Sequence, residues 1–382
     1  MDDAGTGVPK QAPARLLHPL CGSNLSTLIR ALVRSGGTVR PARVPHVMIA
    51  LAAVLCRWPF SAAERAWMAA RRRRQPAMPA PLFIVGHLRS GTTHLQNVLS
   101  RSGHFGQISP VALGLPWDML GLGALLSPLL ERVLPDDRYV DQVRVTPDAP
   151  QEDEIALANM QTLSYYHALY FPRRFPQDLI RGLLLENCTS HELATWRRHF
   201  VYFLEKVSIQ QQGRRLLIKN PVYTARIALI NEIWPDAQFI HVHRDPRRVF
   251  ASTVHYFHTL LEQLALQRYD HIDIEQTVLK IYPRIMAALL EQSAGLPPDR
   301  FVEVGFECFE REPVTELRRI YERLGLPGFE VARPNFELYL QSVRRYSQNR
   351  YDLSPETVEL VERAWAPFVA RWGPCAAAPV ES

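Results

Sequence analysis

Short apolar blocks alternate along this chain with longer stretches of helical spacing. Leu82–Val85, Arg215–Lys219, Gln238–His243 and Phe301–Val304 are brief, rich in branched or aromatic residues, and read as buried strands. Between them, apolar residues recur at three- and four-residue intervals. This predicts helices from Gly91 to about Leu99, over 192–212, from Thr224 to Trp234, after Pro246 to about Phe257, and from Val314 to Leu324. Strands alternating with crossover helices predict an α/β fold whose central, mostly parallel sheet is flanked by helices on both faces. Residues 111–134 are apolar but broken by Gly114, Gly121, Gly123, Pro116 and Pro128, which suggests short helices or a lid around a greasy pocket. Gln151-Glu152-Asp153-Glu154 then leads into a helix through Met160, with Asp148 or a neighbour as its cap.

The first 75 residues read as a helical, basic N-terminal extension ending in the run Arg71–Arg74, and residues 76–382 as the α/β domain. The prolines at 76, 79 and 81 make the join a stiff connector. Val47–Cys56 is an apolar run of ten residues between His46 and Arg57, expected to be too short to span a bilayer. It either packs on the core or, with Trp58 and Phe60, forms a membrane-facing surface. Residues 1–20 hold an Asp pair and prolines in place of a basic start and an apolar core, so no cleavable signal is expected.

Composition narrows the class. A chain of 382 residues with 47% hydrophobic content buries a large core, and its 30 prolines imply interrupted helices. Five scattered cysteines form no metal-type cluster and point to a reduced, cytoplasmic compartment. Through Trp117 there are fourteen basic residues against three acidic ones, whereas the net charge of the whole chain is only +6. Such a basic segment suits peripheral contact with an anionic inner-membrane surface, or is a solvated face. No zinc-finger spacing or aromatic-basic RNA motif accompanies the charge, so nucleic acid is not an expected partner.

The richest chemistry follows the first strand. Gly86-His-Leu-Arg89-Ser90-Gly91-Thr92-Thr93 is a strand, a tight loop and a helix N-terminus, where backbone N–H groups and the helix dipole receive a phosphate. The spacing is nearly that of a nucleoside-triphosphate P-loop, but Thr92 stands where that loop needs lysine, and Arg89 is the loop's cation. A phosphorylated ligand other than a triphosphate with Mg²⁺ fits better, and a nucleotide-dependent kinase or ATPase is the rival reading.

The segment resembles the 5′-phosphosulfate loop of sulfotransferases that use 3′-phosphoadenosine 5′-phosphosulfate (PAPS). Phe239–Ser252, with Arg244-Asp245-Pro246, resembles the 3′-phosphate site of that family. The resemblance is to bacterial members with Pro-Arg-Ser-Gly-Thr-Thr in the loop and Gln-Glu-Asp-Glu between the two sites, and it covers roughly residues 80–350. It implies a P-loop-like nucleotide fold and sulfuryl transfer from PAPS to a hydroxyl, leaving adenosine 3′,5′-bisphosphate (PAP) and needing no metal. Arg89, Ser90, Gly91, Thr92 and Thr93 would hold the 5′-phosphosulfate, and Arg244 with Ser252 the 3′-phosphate. Arg345, in the basic segment Arg344-Arg345-Tyr346, would close over the nucleotide. Lys219 would stabilise charge on the leaving phosphate.

Two departures bear on mechanism. Leu88 replaces the proline common before the loop arginine. Pro221 stands two residues after Lys219, where many cytosolic members carry the histidine that deprotonates the acceptor. The base must then come from elsewhere: Glu152 first and Asp153 second, with His243, His255 and His258 in reserve. The alternative role of these acids is to stabilise a helix N-terminus, and the missing histidine keeps open a degenerate, PAP-binding or membrane-associated protein without turnover. Tyr223 stands where many of the nearest relatives have histidine. The greasy segment and the basic N-terminal part suggest an amphiphilic, lipid-like alcohol as acceptor.

Overall fold

The computed structural model describes residues 17–72, 77–133, 149–343 and 353–373. Four strands, β1 (Leu82–Val85), β2 (Leu217–Lys219), β3 (Gln238–His243) and β4 (Phe301–Gly305), form one sheet in the order β2-β1-β3-β4, every pair parallel. All four residues of β1 are buried, as a strand covered on both faces requires. Phe83 and Val85 point into one core with the N-terminal helices, while Leu82 and Ile84 point into a second core with Phe306, Phe309 and Phe336. The chain leaves β1 for β2 on one side and for β3 on the other. The loop after β1 therefore opens at the place in a parallel sheet where ligands bind.

The strands lie where the apolar blocks predicted them, with small changes at their ends. β2 begins at Leu217 because Arg215 is held outside it, donating to Ala80 O and Gln238 Oε1 at 2.9 Å each. The helix after Pro246 runs on to Leu264, since Leu260, Leu261 and Leu264 continue its buried stripe. Ile274–Ser293, with Pro283 inside it, is a helix that the sequence pattern did not announce. The apolar excursion forms α4 (Pro110–Gly114) and α5 (Leu122–Val133), following α3 (Thr92–Leu99) and preceding α6 (Glu154–Met160). The expected cap Asp148 and the residues Arg73, Arg74 and Arg345 lie outside the described residues.

At the N-terminal end, Asn24 caps α1 (Leu25–Arg34) by accepting from Thr27 N at 2.8 Å. The next helix, α2, runs from Val44 to Arg72 with Pro59 inside it. The run Val47–Cys56 is thus the middle of a helix that is long and apolar enough to cross a membrane, contrary to the expectation from the run alone. The helix continues through Arg57 because that side chain is buried and paired, its Nη2 lying 2.6 Å from Asp118. Its seven buried positions are His46, Ala50, Val54, Arg57, Ser61, Glu64 and Met68. Glu64 pairs with fully buried Lys206 at 2.6 Å and accepts from the amides of Leu120 and Gly121 at 3.0 and 2.8 Å. These pairs stitch α2 to the α4–α5 excursion and to the helix Ser190–Gln210.

Candidate active site

The C-terminal edge of the sheet gathers Gly86 from β1, Lys219 from β2 and Arg244 from β3. Gly86 has φ +149°, and a Cβ there would lie 2.3 Å from Val242 O, so only glycine lets the loop cross β3 this closely. Thr224 Oγ1 accepts from Gly86 N at 2.8 Å and donates to Gly86 O at 2.9 Å, fixing the base of the loop. Arg89 adopts φ +70°, a left-handed conformation that costs a non-glycine residue energy. Gly91 is the N-cap of α3 at φ +91°, and a Cβ there would lie 2.1 Å from Phe306 Cδ2. No side chain caps this helix, so its first amides face the loop. Ser90 Oγ is buried without a hydrogen-bond partner. An uncapped N-terminus, a buried orphan hydroxyl and a bare glycine form the cradle that an anionic phosphoryl or sulfuryl group needs.

The second site meets this loop directly. Arg89 Nε donates to Ser252 Oγ at 2.9 Å, joining the β1 loop to the helix Pro246–Leu264. The Arg244 guanidinium lies 4.8 Å above the Phe306 ring, the ring that Gly91 abuts. Phe306, immediately after β4, is therefore a floor shared by both loops. Burial depresses the pKa of Arg244, with nearby Glu307 opposing the shift and Arg248 and Arg89 adding to it. Arg89 and Arg248 thus repel the Arg244 charge, and Glu307 and Glu310 offset part of that repulsion. Asp245 does not compete for the site: it caps its helix by accepting from Arg247 N at 3.0 Å and pairs with the Arg247 guanidinium.

Lys219 ends β2, with its side chain buried. Its Nζ donates to Thr93 Oγ1 at 3.1 Å and forms an ion pair with Glu152, whose side chain is about a quarter exposed. The two groups assigned to opposite ends of the reaction are thus bound to each other beside the loop. Asp153 turns the other way. It is fully buried, accepting from Tyr223 Oη and from Asn220 Nδ2 at 2.8 Å. Burial pushes its pKa up to about 7, reinforced by Glu154 and opposed by the Tyr223 and Asn220 hydrogen bonds. Asp153 occupies the N-cap position of α6 but makes no capping bond; its carboxylate belongs to the network beneath Glu152. Tyr223 is buried in that network and not at the cleft surface.

The remaining predicted groups separate clearly. His243 is stacked on Trp372, and burial lowers its pKa to about 4. His255 and His258 lie exposed on the helix Pro246–Leu264, with the His255 pKa lowered by partial burial and by Arg89. His241 pairs with Glu303 at 3.1 Å. Among the described residues no group of three His, Cys, Asp or Glu side chains could hold a metal ion. Sequence reasoning missed Phe306, Thr224 and the buried tyrosines 165, 166 and 256. The Tyr165 and Tyr256 hydroxyls lie 3.0 Å apart, and after burial the Glu152 charge is among the causes raising the Tyr256 pKa. Nothing in the pattern distinguishes these aromatics from core, since only the fold brings 165 and 256 together.

A carboxylate, a lysine and a cationic anion cradle side by side are groups suited to moving a charged group between two oxygens. Residues 81–330 match the model of a sulfotransferase family. The chain is 32% identical over 294 residues to omega-hydroxy-beta-dihydromenaquinone-9 sulfotransferase Stf3 of Mycobacterium bovis and of Mycobacterium tuberculosis, covering 77% of this chain and 75% of theirs. Its fold is similar to those of sulfotransferase STF1 from Mycobacterium tuberculosis (TM-score 0.64, 18% identity, 90% of this chain and 91% of that one) and STF9 from Mycobacterium avium (TM-score 0.63, 16% identity, 92% and 96%). The chain belongs to the sulfotransferase family.

Proposed function

We propose that this protein transfers a sulfuryl group from PAPS to the hydroxyl of an amphiphilic, lipid-like alcohol by direct in-line displacement, releasing PAP. The observation that carries this reading is the placement of Lys219 and Glu152 together beside the Arg89–Thr93 cradle. PAPS, when bound, supplies a sulfuryl group already activated by its bond to the 5′-phosphate. Arg89, Ser90 and the amides opening α3 hold the 5′ end, while Arg244 and Ser252 hold the 3′-phosphate. Glu152 accepts the acceptor's proton as its oxygen bonds to sulfur. The bond from sulfur to the 5′-phosphate oxygen breaks, and that oxygen keeps the electron pair. Lys219, released from Glu152, neutralises the charge left there, with Thr93 orienting its ammonium. Asp153, Asn220 and Tyr223 position the strand end and the Glu152 backbone from below.

The acceptor class is supported by two features. The Stf3 relatives are named for a hydroxylated menaquinone derivative. In this chain the Gln151 N to Ile108 O bond of 3.0 Å ties the start of the apolar α4–α5 excursion to the residue before Glu152. We assign the protein to a reduced, cytoplasmic compartment, in keeping with Cys21, Cys56, Cys188 and Cys308 forming no disulfide among the described residues. The test is transfer of ³⁵S from labelled PAPS to a panel of long-chain and polycyclic alcohols. Glu152→Gln should lower turnover by about two orders of magnitude, as loss of a general base does, while PAP affinity is retained. Undiminished turnover in that variant removes Glu152 from the role; PAP binding without product from any alcohol removes the transferase reading.

A further inference from the structure

Helix α2 is apolar on the side that faces away from the protein. Its buried face mixes Ala50, Val54 and Met68 with His46, Arg57, Ser61 and Glu64, the last three engaged by the body of the protein. Its outer face carries Val44, Met48, Leu55, Trp58, Phe60 and Trp67, each between about two-fifths and three-fifths exposed. From Val44 to Ala63 no exposed position of this helix is charged or polar apart from Cys56. A water-soluble helix keeps polar and charged residues on its exposed side, which this one lacks over that stretch. The apolar face does not stop at α2. Ile29 and Val33 on α1 are exposed, and so are Leu125 and Leu129 on α5, whose approach is anchored to Glu64 of α2.

Charge says what covers this face. Over residues 17–72 the arginines 30, 34, 40, 65, 71 and 72 are exposed, of which Arg34 and Arg72 pair with Glu192 and Glu205, and the single acid, Glu64, is buried. Trp58 and Trp67 lie on opposite flanks of this exposed apolar arc, and aromatic flanks bordered by arginines are the pattern of a helix lying at the headgroup boundary. Arg71 stacks over Trp67 at 5.2 Å, placing a cation beside the ring. The same salt bridges that define the inner face rule out a spanning helix. Crossing a bilayer would strip Arg57 from Asp118 and Glu64 from Lys206, leaving four charges unpaired.

We propose that the outer face of α2, with the adjoining apolar residues of α1 and α5, docks the protein flat on an anionic lipid bilayer. Apolar insertion of the Trp58–Phe60 region supplies the hold, and the arginines supply the preference for negative headgroups. The surface is independent of donor and acceptor, so its test needs neither. The full chain is floated with vesicles of phosphatidylglycerol and phosphatidylethanolamine, and with vesicles of phosphatidylcholine alone, at low and high salt. The expected result is binding to the anionic vesicles, weakened by salt and by the neutral lipid. Trp58→Ser combined with Phe60→Ser should weaken it by roughly tenfold or more, because two large side chains no longer enter the bilayer. Both side chains face outward, so circular dichroism of the double variant should match the wild type. No flotation, or equal flotation of the double variant, overturns the proposal. So does a wild-type dimer that stays off vesicles and becomes a monomer in the variant, which would give this face to a second copy. Resistance to alkaline carbonate extraction would overturn it in favour of a span.

Discussion

The contact between Gly91 and Phe306 couples the two halves of the proposed nucleotide site, and Gly91→Ala tests it. Two costs add at this position. An L-residue at φ +91° pays about 1–2 kcal/mol for the left-handed backbone. A methyl group 2.1 Å from Phe306 Cδ2 then forces the ring or the loop to move, at about 1–3 kcal/mol. The structure contains its own control. Gly213 has φ +75° but nothing within 4 Å of where its Cβ would be, so Gly213→Ala pays the backbone cost alone. Urea unfolding should place Gly213→Ala about 1–2 kcal/mol below wild type and Gly91→Ala a further 1–3 kcal/mol lower. Calorimetric titration with PAP should show weakened binding for Gly91→Ala, because the displaced ring carries Arg244, and unchanged binding for Gly213→Ala. If Gly91→Ala costs no more than Gly213→Ala in stability, the close contact does not exist in solution. If it leaves PAP affinity untouched, Phe306 is not a shared floor.

Two further outcomes follow from buried charge. The Asp153 pKa is raised from the ordinary carboxylate value to about 7, so its proton is favoured in the folded state. Its contribution is fully present below pH 4 and is lost as pH rises towards 7, a swing of up to about 4 kcal/mol. Asp153→Asn should flatten the fall in unfolding free energy between pH 4 and 7; an unchanged slope would mean that Asp153 is ionised throughout. Glu64→Ala leaves Lys206 buried beside no carboxylate partner on α2, and should cost about 3–5 kcal/mol in urea unfolding. A loss below about 1 kcal/mol would show that α2 is only loosely held.

Much of the fold could be read from the chain because β1, β2 and β3 are buried on both faces, which makes each a near-continuous apolar block. Leu82–Val85 and Gln238–His243 have the bounds that their sequence suggests. The loop was legible for a related reason: glycines, hydroxyls and one arginine in eight positions have little use in a core. Where local pattern and tertiary contact disagree, reading failed. Arg57 looked like the end of an apolar run, yet the helix continues through it and Glu64 because Asp118 and Lys206 pair with them from more than fifty residues away in the chain. Pro283 hid the helix Ile274–Ser293. Phe306 is one aromatic among many until the fold sets it beneath Arg244. Adjacent acids also concealed a division of labour: Glu152 reaches Lys219 at the open edge, whereas Asp153 points inward to Tyr223 and Asn220.

The central claim is that the Arg89 loop and the Arg244–Ser252 pair hold opposite ends of one nucleotide. The most direct measurement compares calorimetric affinities of wild type and Arg244→Ala for PAP and for adenosine 5′-monophosphate, which lacks the 3′-phosphate. Loss of a charge-assisted contact to the 3′-phosphate should weaken PAP by about 1.5–3 kcal/mol, roughly ten- to a hundredfold, and leave the monophosphate within about twofold of wild type. Equal weakening of both ligands would contradict the account, because Arg244 would then not distinguish the end of the nucleotide assigned to it.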